Sequence, residues 1–135
     1  MSTSLDDVRD TFELLDDWSD RYGFLIELGG ELPPYPEDLR DKAHKVKGCL
    51  SQVWLAAETR DGHMYFQADS DAHIVKGLVA LVRLAFEGKT PSEVSAFDMD
   101  ALLTELGLDK HLTPGRSNGL HSMIKRIRSY AEASA

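Results

Sequence analysis

The dipeptide Asp61-Gly62 constrains the fold of this chain more than any other feature. It separates two strand-like runs, residues 52–59 and residues 63–68. A type I′ turn needs a positive φ at both central residues, and Asp-Gly accepts this at low cost, so two such runs pair as an antiparallel hairpin. Val46 lies in a shorter extended piece upstream. The sequence therefore predicts a small antiparallel β-sheet of about three strands.

Helical periodicity dominates on both sides of this hairpin. Upstream, apolar residues recur at helical spacing from Ser4, a suitable N-cap, to Trp18, and a second helical stretch stops at Gly29-Gly30. Downstream, the pattern predicts helices at 72–87, from Thr90, at 99–106, and after a loop at 113–119. This order predicts an α+β fold, with the helices packed on one face of the sheet and residues 1–135 forming a single domain.

The charge is unevenly distributed. The chain has 135 residues and a formal net charge of −8, which disfavours nucleic-acid binding because phosphates repel an acidic surface. Residues 1–39 hold eleven acids and two bases, whereas residues 40–60 hold five bases and two acids. The cationic stretch contains the only cysteine, Cys49.

No apolar run is long enough to span a membrane, and the first ten residues are polar and acidic rather than signal-like. We therefore expect a cytoplasmic protein with no membrane association. A single cysteine cannot form an intramolecular disulfide, which fits a reducing compartment. It also cannot supply the several thiolates that an iron–sulfur cluster requires.

Cys49 follows Gly48 and leads into a predicted strand, so it can lie at the tip of a loop. Nearby lysines favour the thiolate, which is the nucleophilic form. The simpler interpretation is a buried cysteine that acts as a small apolar residue, and composition alone favours it. The residues by themselves leave both interpretations open.

The five histidines suggest neither a hydrolase nor a metal site. None stands in a recognisable Cys–His catalytic motif, and none is spaced as zinc ligands usually are. We therefore expect no metal and no organic cofactor. Arg116 lies between turn residues where the last helix starts, and by itself it can be a surface arginine that pairs locally.

Four sequence blocks, taken together, resemble the SufE/CsdE sulfur acceptors. The segment 48–54, GCLSQVW, resembles the cysteine-loop motif of that family. The segments 69–78, 89–91 and 111–120 are similar to its later blocks and follow in the family's order. Leu50 stands where many members have a polar residue, and Gly115 stands where many have serine.

The resemblance implies a function. Such a protein accepts sulfane sulfur as a persulfide from a cysteine desulfurase of the SufS/CsdA kind, stimulates that enzyme, and passes the sulfur toward iron–sulfur cluster assembly. Cys49 would be the acceptor, and Arg116 would lie near the cysteine loop and support it. The recipient would be a protein such as a cluster scaffold. The chain would serve as a partner of the desulfurase rather than as a stand-alone enzyme.

Two alternatives remain at this level. The chain can be a regulatory adaptor in which Cys49 is inert, or it can belong to a CsdE-like branch that feeds tRNA modification. A homodimer is compatible with the sequence. The residues do not identify the particular desulfurase or recipient.

Overall fold

The computed structural model describes residues 3–47 and 51–134. Six α-helices and one β-hairpin make up its main elements. In chain order these are α1 (Leu5–Leu14), α2 (Trp18–Gly29), β1 (Val53–Arg60), β2 (His63–Ser70), α3 (His73–Phe86), α4 (Pro91–Ala96), α5 (Met99–Glu105) and α6 (Pro114–Ser134). Short 3₁₀ turns at Glu37–Leu39 and Leu108–Lys110 complete the path. This arrangement confirms the predicted α+β class.

The hairpin forms as the Asp-Gly signal predicts. Asp61 and Gly62 have φ values of 52° and 79°, and the strands pair antiparallel from Val53–Ser70 to Arg60–His63. Alternate residues of β2 are buried, namely Met64, Phe66, Ala68 and Ser70. This period of two turns one face of the sheet toward the helices.

The prediction of about three strands is slightly wrong, because the described residues form a sheet of two strands. The segment around Val46 adds only an isolated bridge between Lys45 and Trp54. Two backbone hydrogen bonds hold it there, from Val46 N to Val53 O and from Leu55 N to His44 O, each 2.8 Å long. The pairing does not extend upstream because residues 42–44 form a turn directly before Lys45.

The outer edge of β2 is hydrogen-bonded by residues from the end of α3 and beyond. Met64 N donates to Lys89 O at 2.7 Å, and Gly88 N donates back to Met64 O at 2.8 Å. Phe66 N donates to a carboxylate oxygen of Glu87 at 2.7 Å, while Arg83 Nε donates to Phe66 O at 2.9 Å. Side chains and a loop therefore replace a third strand along this part of the edge.

Helix α3 forms the centre of the core. Eight of its residues, from Gly77 to Phe86, are buried, which fits a helix that has apolar side chains on two faces. Helices α2 and α3 touch backbone to backbone at Gly77, where a Cβ atom would lie 2.2 Å from the carbonyl oxygen of Leu25. This close approach brings α3 firmly against α2.

Several predicted helix starts are confirmed by their hydrogen bonds. Ser4 and Thr90 form capping boxes with Asp7 and Glu93, and Asp98 caps α5. These contacts satisfy backbone N–H groups that have no partner inside the helix.

Two predicted helix boundaries need correction. The first helix ends at Leu14, and a new helix begins at Trp18 with Asp17 as its cap. The predicted loop at 113–119 is largely helical, since α6 starts at Pro114. Proline suits the first turn because its missing N–H would have had no helical partner.

No helix in the described part of the chain is long and apolar enough to cross a bilayer.

Candidate functional site

The predicted acceptor, Cys49, lies outside the described residues together with Gly48 and Leu50. The segments on either side are described and well anchored. Val46 is hydrogen-bonded to Val53. Gln52 N donates to Asp71 Oδ1 at 3.0 Å, and Asp71 N donates to Gln52 O at 3.3 Å. The structure therefore fixes both approaches to the cysteine segment.

An apolar cavity of about 290 Å³ is lined in part by Ser51, the first described residue after the cysteine segment. It lies between the start of β1, helix α3 and the first turns of α6. Its lining is mostly aliphatic: Ser51, Val53, Ala72, Ile74, Val75, Leu78, Val79, Thr113, Gly115, Arg116, Gly119, Leu120 and Met123. A cavity with this lining has room for a small apolar group and few groups that bind water.

Arg116 lies on the first turn of α6 and lines this cavity. Its backbone N–H donates to Thr113 Oγ1 at 3.4 Å. The residue is exposed, and its guanidinium makes no hydrogen bond or ion pair within residues 3–47 and 51–134. The structure thus brings Arg116 to the same cavity as Ser51, which follows Cys49 by two positions.

The bases of the cationic stretch divide into two groups. Arg40 is paired with Glu37 and Asp69, and Arg60 is paired with Glu58. In contrast, three exposed lysines form no ion pair with any described residue: Lys42, Lys45 and Lys47. Their charge is therefore available to an anion or to an acidic partner surface.

His44 is occupied by a local contact. Its Nδ1 atom lies 2.7 Å from Asp41 Oδ1, and its backbone N–H donates to the same oxygen at 2.9 Å. The hydrogen bond from the His44 side chain, and next that from its backbone, hold the pKa of the Asp41 carboxyl below its usual value. This pairing gives His44 a structural role in the turn before the cysteine segment.

Asp69 binds two cations on the face of the hairpin that is opposite to the buried residues of β2. Arg40 Nη2 donates to its carboxylate at 2.6 Å, and Lys76 Nζ lies 3.3 Å from its other oxygen. Burial alone would raise the pKa of Asp69, but hydrogen bonds from Arg40 and the Ser70 amide, with Lys76 nearby, lower it below its usual value. The Arg40 guanidinium also stacks over the ring of Trp54 at 4.8 Å.

Sequence reasoning missed Arg126. The apolar periodicity of the last helix places Arg126 on its solvent side, but its guanidinium donates to the carbonyl oxygens of Ala43 and Lys45. The one available signal was Tyr130, which stands one helical turn later and can hold an arginine in place. That pairing does not predict which backbone carbonyls the arginine reaches.

Within the described residues, no three side chains of the metal-binding types lie close enough to hold an ion. The His111 ring stacks on the Trp18 ring, with the two ring centroids 3.9 Å apart.

The geometry defines a small α+β protein in which Ser51, two positions after the cysteine in sequence, and Arg116 line one apolar cavity. Residues 6–131 match the family model described as "SufE: Fe-S metabolism associated domain", so the chain belongs to the SufE family.

Two curated relatives are also described as SufE-like proteins. An uncharacterized SufE-like protein of Rhizobium meliloti (strain 1021) is 48% identical over 134 residues, covering 96% of each chain. Another, from Rhizobium etli, is 48% identical over 136 residues, covering 98% of this chain and 92% of its own.

A solved structure supports the fold. The solution structure of a hypothetical protein from Thermus thermophilus superposes with a TM-score of 0.77 at 23% identity, covering 96% of this chain and 93% of that one. Family membership assigns the chain a role in iron–sulfur metabolism.

Proposed function

We propose that this protein is a sulfur carrier in which Cys49 accepts sulfane sulfur as a persulfide from a pyridoxal-phosphate cysteine desulfurase. The protein stimulates that enzyme and delivers the sulfur to a recipient in iron–sulfur cluster assembly. The exchange takes place in the cytoplasm, where the thiol is kept reduced.

The observation that carries this proposal is the cavity shared by Ser51 and Arg116. Cys49 precedes Ser51 by two residues, so covalent geometry limits the separation of their Cα atoms to about 7 Å. An aliphatic lining suits a persulfide in transit, because such a lining excludes the water and small thiols that would remove its sulfur. Arg116 supplies a permanent positive charge at the same cavity.

The chemistry balances as two successive exchanges. The Cys49 thiolate attacks the outer sulfur of the donor's persulfide, a new S–S bond forms at Cys49, and the donor's own S–S bond breaks to release its thiolate. A thiolate of the recipient then attacks the outer sulfur on Cys49 and restores the original thiolate. Each step moves one neutral sulfur atom, so no external oxidant or reductant is needed.

Lysines close to Cys49 in sequence also favour this chemistry. Lys45 and Lys47 directly precede the segment in sequence and form no described ion pair. Cations near a thiol favour its thiolate form, and they also attract an acidic partner surface. The chain has only one cysteine, so it needs an outside thiol both to load the sulfur and to unload it.

The test is intact-protein mass spectrometry after incubation with a cysteine desulfurase and cysteine. The parent protein should gain the mass of one or more sulfur atoms, and a reductant should remove that mass. Cys49→Ser, which is nearly isosteric, should gain none and should not accelerate sulfide release. A serine variant that stimulated the desulfurase as well as the parent does would refute the covalent carrier and support the adaptor instead.

A further inference from the structure

The Arg126 guanidinium joins helix α6 to the segment that leads into the cysteine. Its Nη1 atom donates to Lys45 O at 3.2 Å, and its Nη2 atom donates to Ala43 O. Lys45 also forms the isolated bridge to Trp54. One side chain thus contacts the extended segment that ends at the cysteine loop.

The two carbonyls lie on the free edge of that segment. His44 O and Val46 N are directed toward β1, where they bond to Leu55 N and Val53 O. Lys45 is the bridge residue, and alternation along the paired chain directs its carbonyl away from β1, whereas Ala43 lies in the preceding turn. The planar fork of an arginine can bond to both carbonyls at once.

Tyr130, one helical turn further along α6, contacts the Arg126 guanidinium. Arg126 Nε donates to Tyr130 Oη at 3.3 Å, and Tyr130 Oη donates to Leu55 O at 3.4 Å. The guanidinium carbon lies 5.5 Å from the centroid of the Tyr130 ring. Both residues lie on one face of α6, so a long helix sets the position of the fork relative to β1.

We infer that Arg126 is a positioning residue that fixes where the cysteine loop begins, and that it thereby controls the reactivity of Cys49. This inference rests on the proposed function, in which Cys49 must meet a partner's persulfide in one geometry. Small errors of position at a reacting group cost large factors in rate. Arg126 acts through the backbone of residues 43–45 and takes no part in the exchange of sulfur.

Three variants separate position from charge. Arg126→Lys keeps the charge but loses the planar fork that donates from two separate nitrogens, and Arg126→Ala removes both. Lys125→Ala, the control, removes an exposed cation from the same helical turn, and the Lys125 side chain forms no hydrogen bond or ion pair with any described residue. The readouts are amide exchange at Val46 and Leu55, measured by NMR, and the rate at which iodoacetamide alkylates Cys49.

Both Arg126 variants should exchange the Val46 and Leu55 amides about tenfold faster than the parent. Iodoacetamide should alkylate Cys49 at least about threefold faster in both variants than in the parent, since access to a thiol controls its modification. Lys125→Ala should match the parent in both measurements. Unchanged amide exchange in the Arg126 variants would overturn the inference. So would faster exchange in Arg126→Lys with alkylation of Cys49 at the parent rate, because the contact would then be structural only.

These readouts are independent of sulfur transfer. If the parent protein gained no sulfur from a desulfurase, the proposed function would fail, while exchange and alkylation would still decide the role of Arg126.

Discussion

Ser51 and Arg116 line the same apolar cavity, although one precedes β1 and the other lies on the first turn of α6. Residues 65 positions apart in sequence therefore meet at one cavity, and one of them follows the only cysteine by two positions. Arg116 has no described partner for its guanidinium, which distinguishes it from Arg40 and Arg60, whose guanidinium groups form ion pairs. An unpaired charge at such a cavity is free to act on an anion.

Arg116→Ala should slow the loading of sulfur on Cys49 roughly tenfold, the scale of one lost charge-assisted hydrogen bond. Stability should change by less than about 0.5 kcal/mol, because the side chain is exposed and holds nothing in the fold. The two quantities are measured by the rate of persulfide mass gain and by urea unfolding. Arg60→Ala, which removes an exposed arginine at the hairpin tip, is the control. Equal losses of rate in both variants would contradict a specific role for Arg116.

Filling the cavity should expose a persulfide on Cys49 to reductant. Val75→Phe places a larger side chain in the lining, so dithiothreitol should remove sulfur from the loaded protein about fivefold faster, because access governs thiol exchange. Leu84→Phe enlarges another partly buried residue of α3 that does not line the cavity. If the two variants lost sulfur at the same rate, the cavity would have no sheltering role.

The contact between α2 and α3 should tolerate no side chain at Gly77. A Cβ there would lie 2.2 Å from Leu25 O, so Gly77→Ala should destabilise the protein by about 3 kcal/mol, the upper part of the range for overpacking. Gly23→Ala is the matched control, since a Cβ at Gly23 meets nothing within 4 Å. That helical substitution should stabilise by about 0.5–1 kcal/mol. Urea unfolding of both variants checks the pair, and similar effects would disprove the close contact.

Asp69→Asn should lower stability by roughly 1–2 kcal/mol at neutral pH, because Arg40 and Lys76 then lose their charged partner. The pKa of Asp69 is lowered in the folded protein, so its charge stabilises the fold above the ordinary carboxyl pKa of about 3.9. That contribution is lost as the pH falls through the lowered folded value. The difference in unfolding free energy between the parent and the variant should therefore become smaller below about pH 4.

Urea unfolding at neutral and acidic pH measures this narrowing. Asp38→Asn removes an exposed carboxylate that forms no ion pair within the described residues, and it should leave stability unchanged at both pH values. If the difference in unfolding free energy between the parent and Asp69→Asn stayed constant down to acidic pH, the charge of Asp69 would contribute nothing to stability.

Local signals in the sequence predicted local structure well. The Asp61-Gly62 turn, the N-cap at Ser4 and the helix start at Thr90 follow from backbone preferences and capping, and all are confirmed. Each depends on residues that are neighbours in the chain, so a pattern of a few positions contains the information.

Signals that depend on distant partners were harder to interpret. Gly115 and Gly119 suggested a loop, yet α6 begins at Pro114 because Thr113 caps it and its apolar stripe packs on the core. Arg126 suggested a solvated face, because nothing near it in sequence shows that the carbonyls of residues 43 and 45 lack partners. The cavity likewise depends on three elements meeting, which no single pattern predicts. The roles of Cys49 and Arg116 remain predictions.

The hydrogen bonds along the margins of the sheet restrict how another protein can recognise it. At Met64 and Phe66 the outward backbone groups are bonded to residues 83–89, and at Ala43 and Lys45 the outward carbonyls are bonded to Arg126. An extended peptide that approached these positions would find the ladder already occupied, so strand addition is disfavoured there. In the proposed exchange, the sulfur donor is then recognised at these positions through side chains and loops. The occupied positions also disfavour edge-to-edge pairing with a second copy of the sheet.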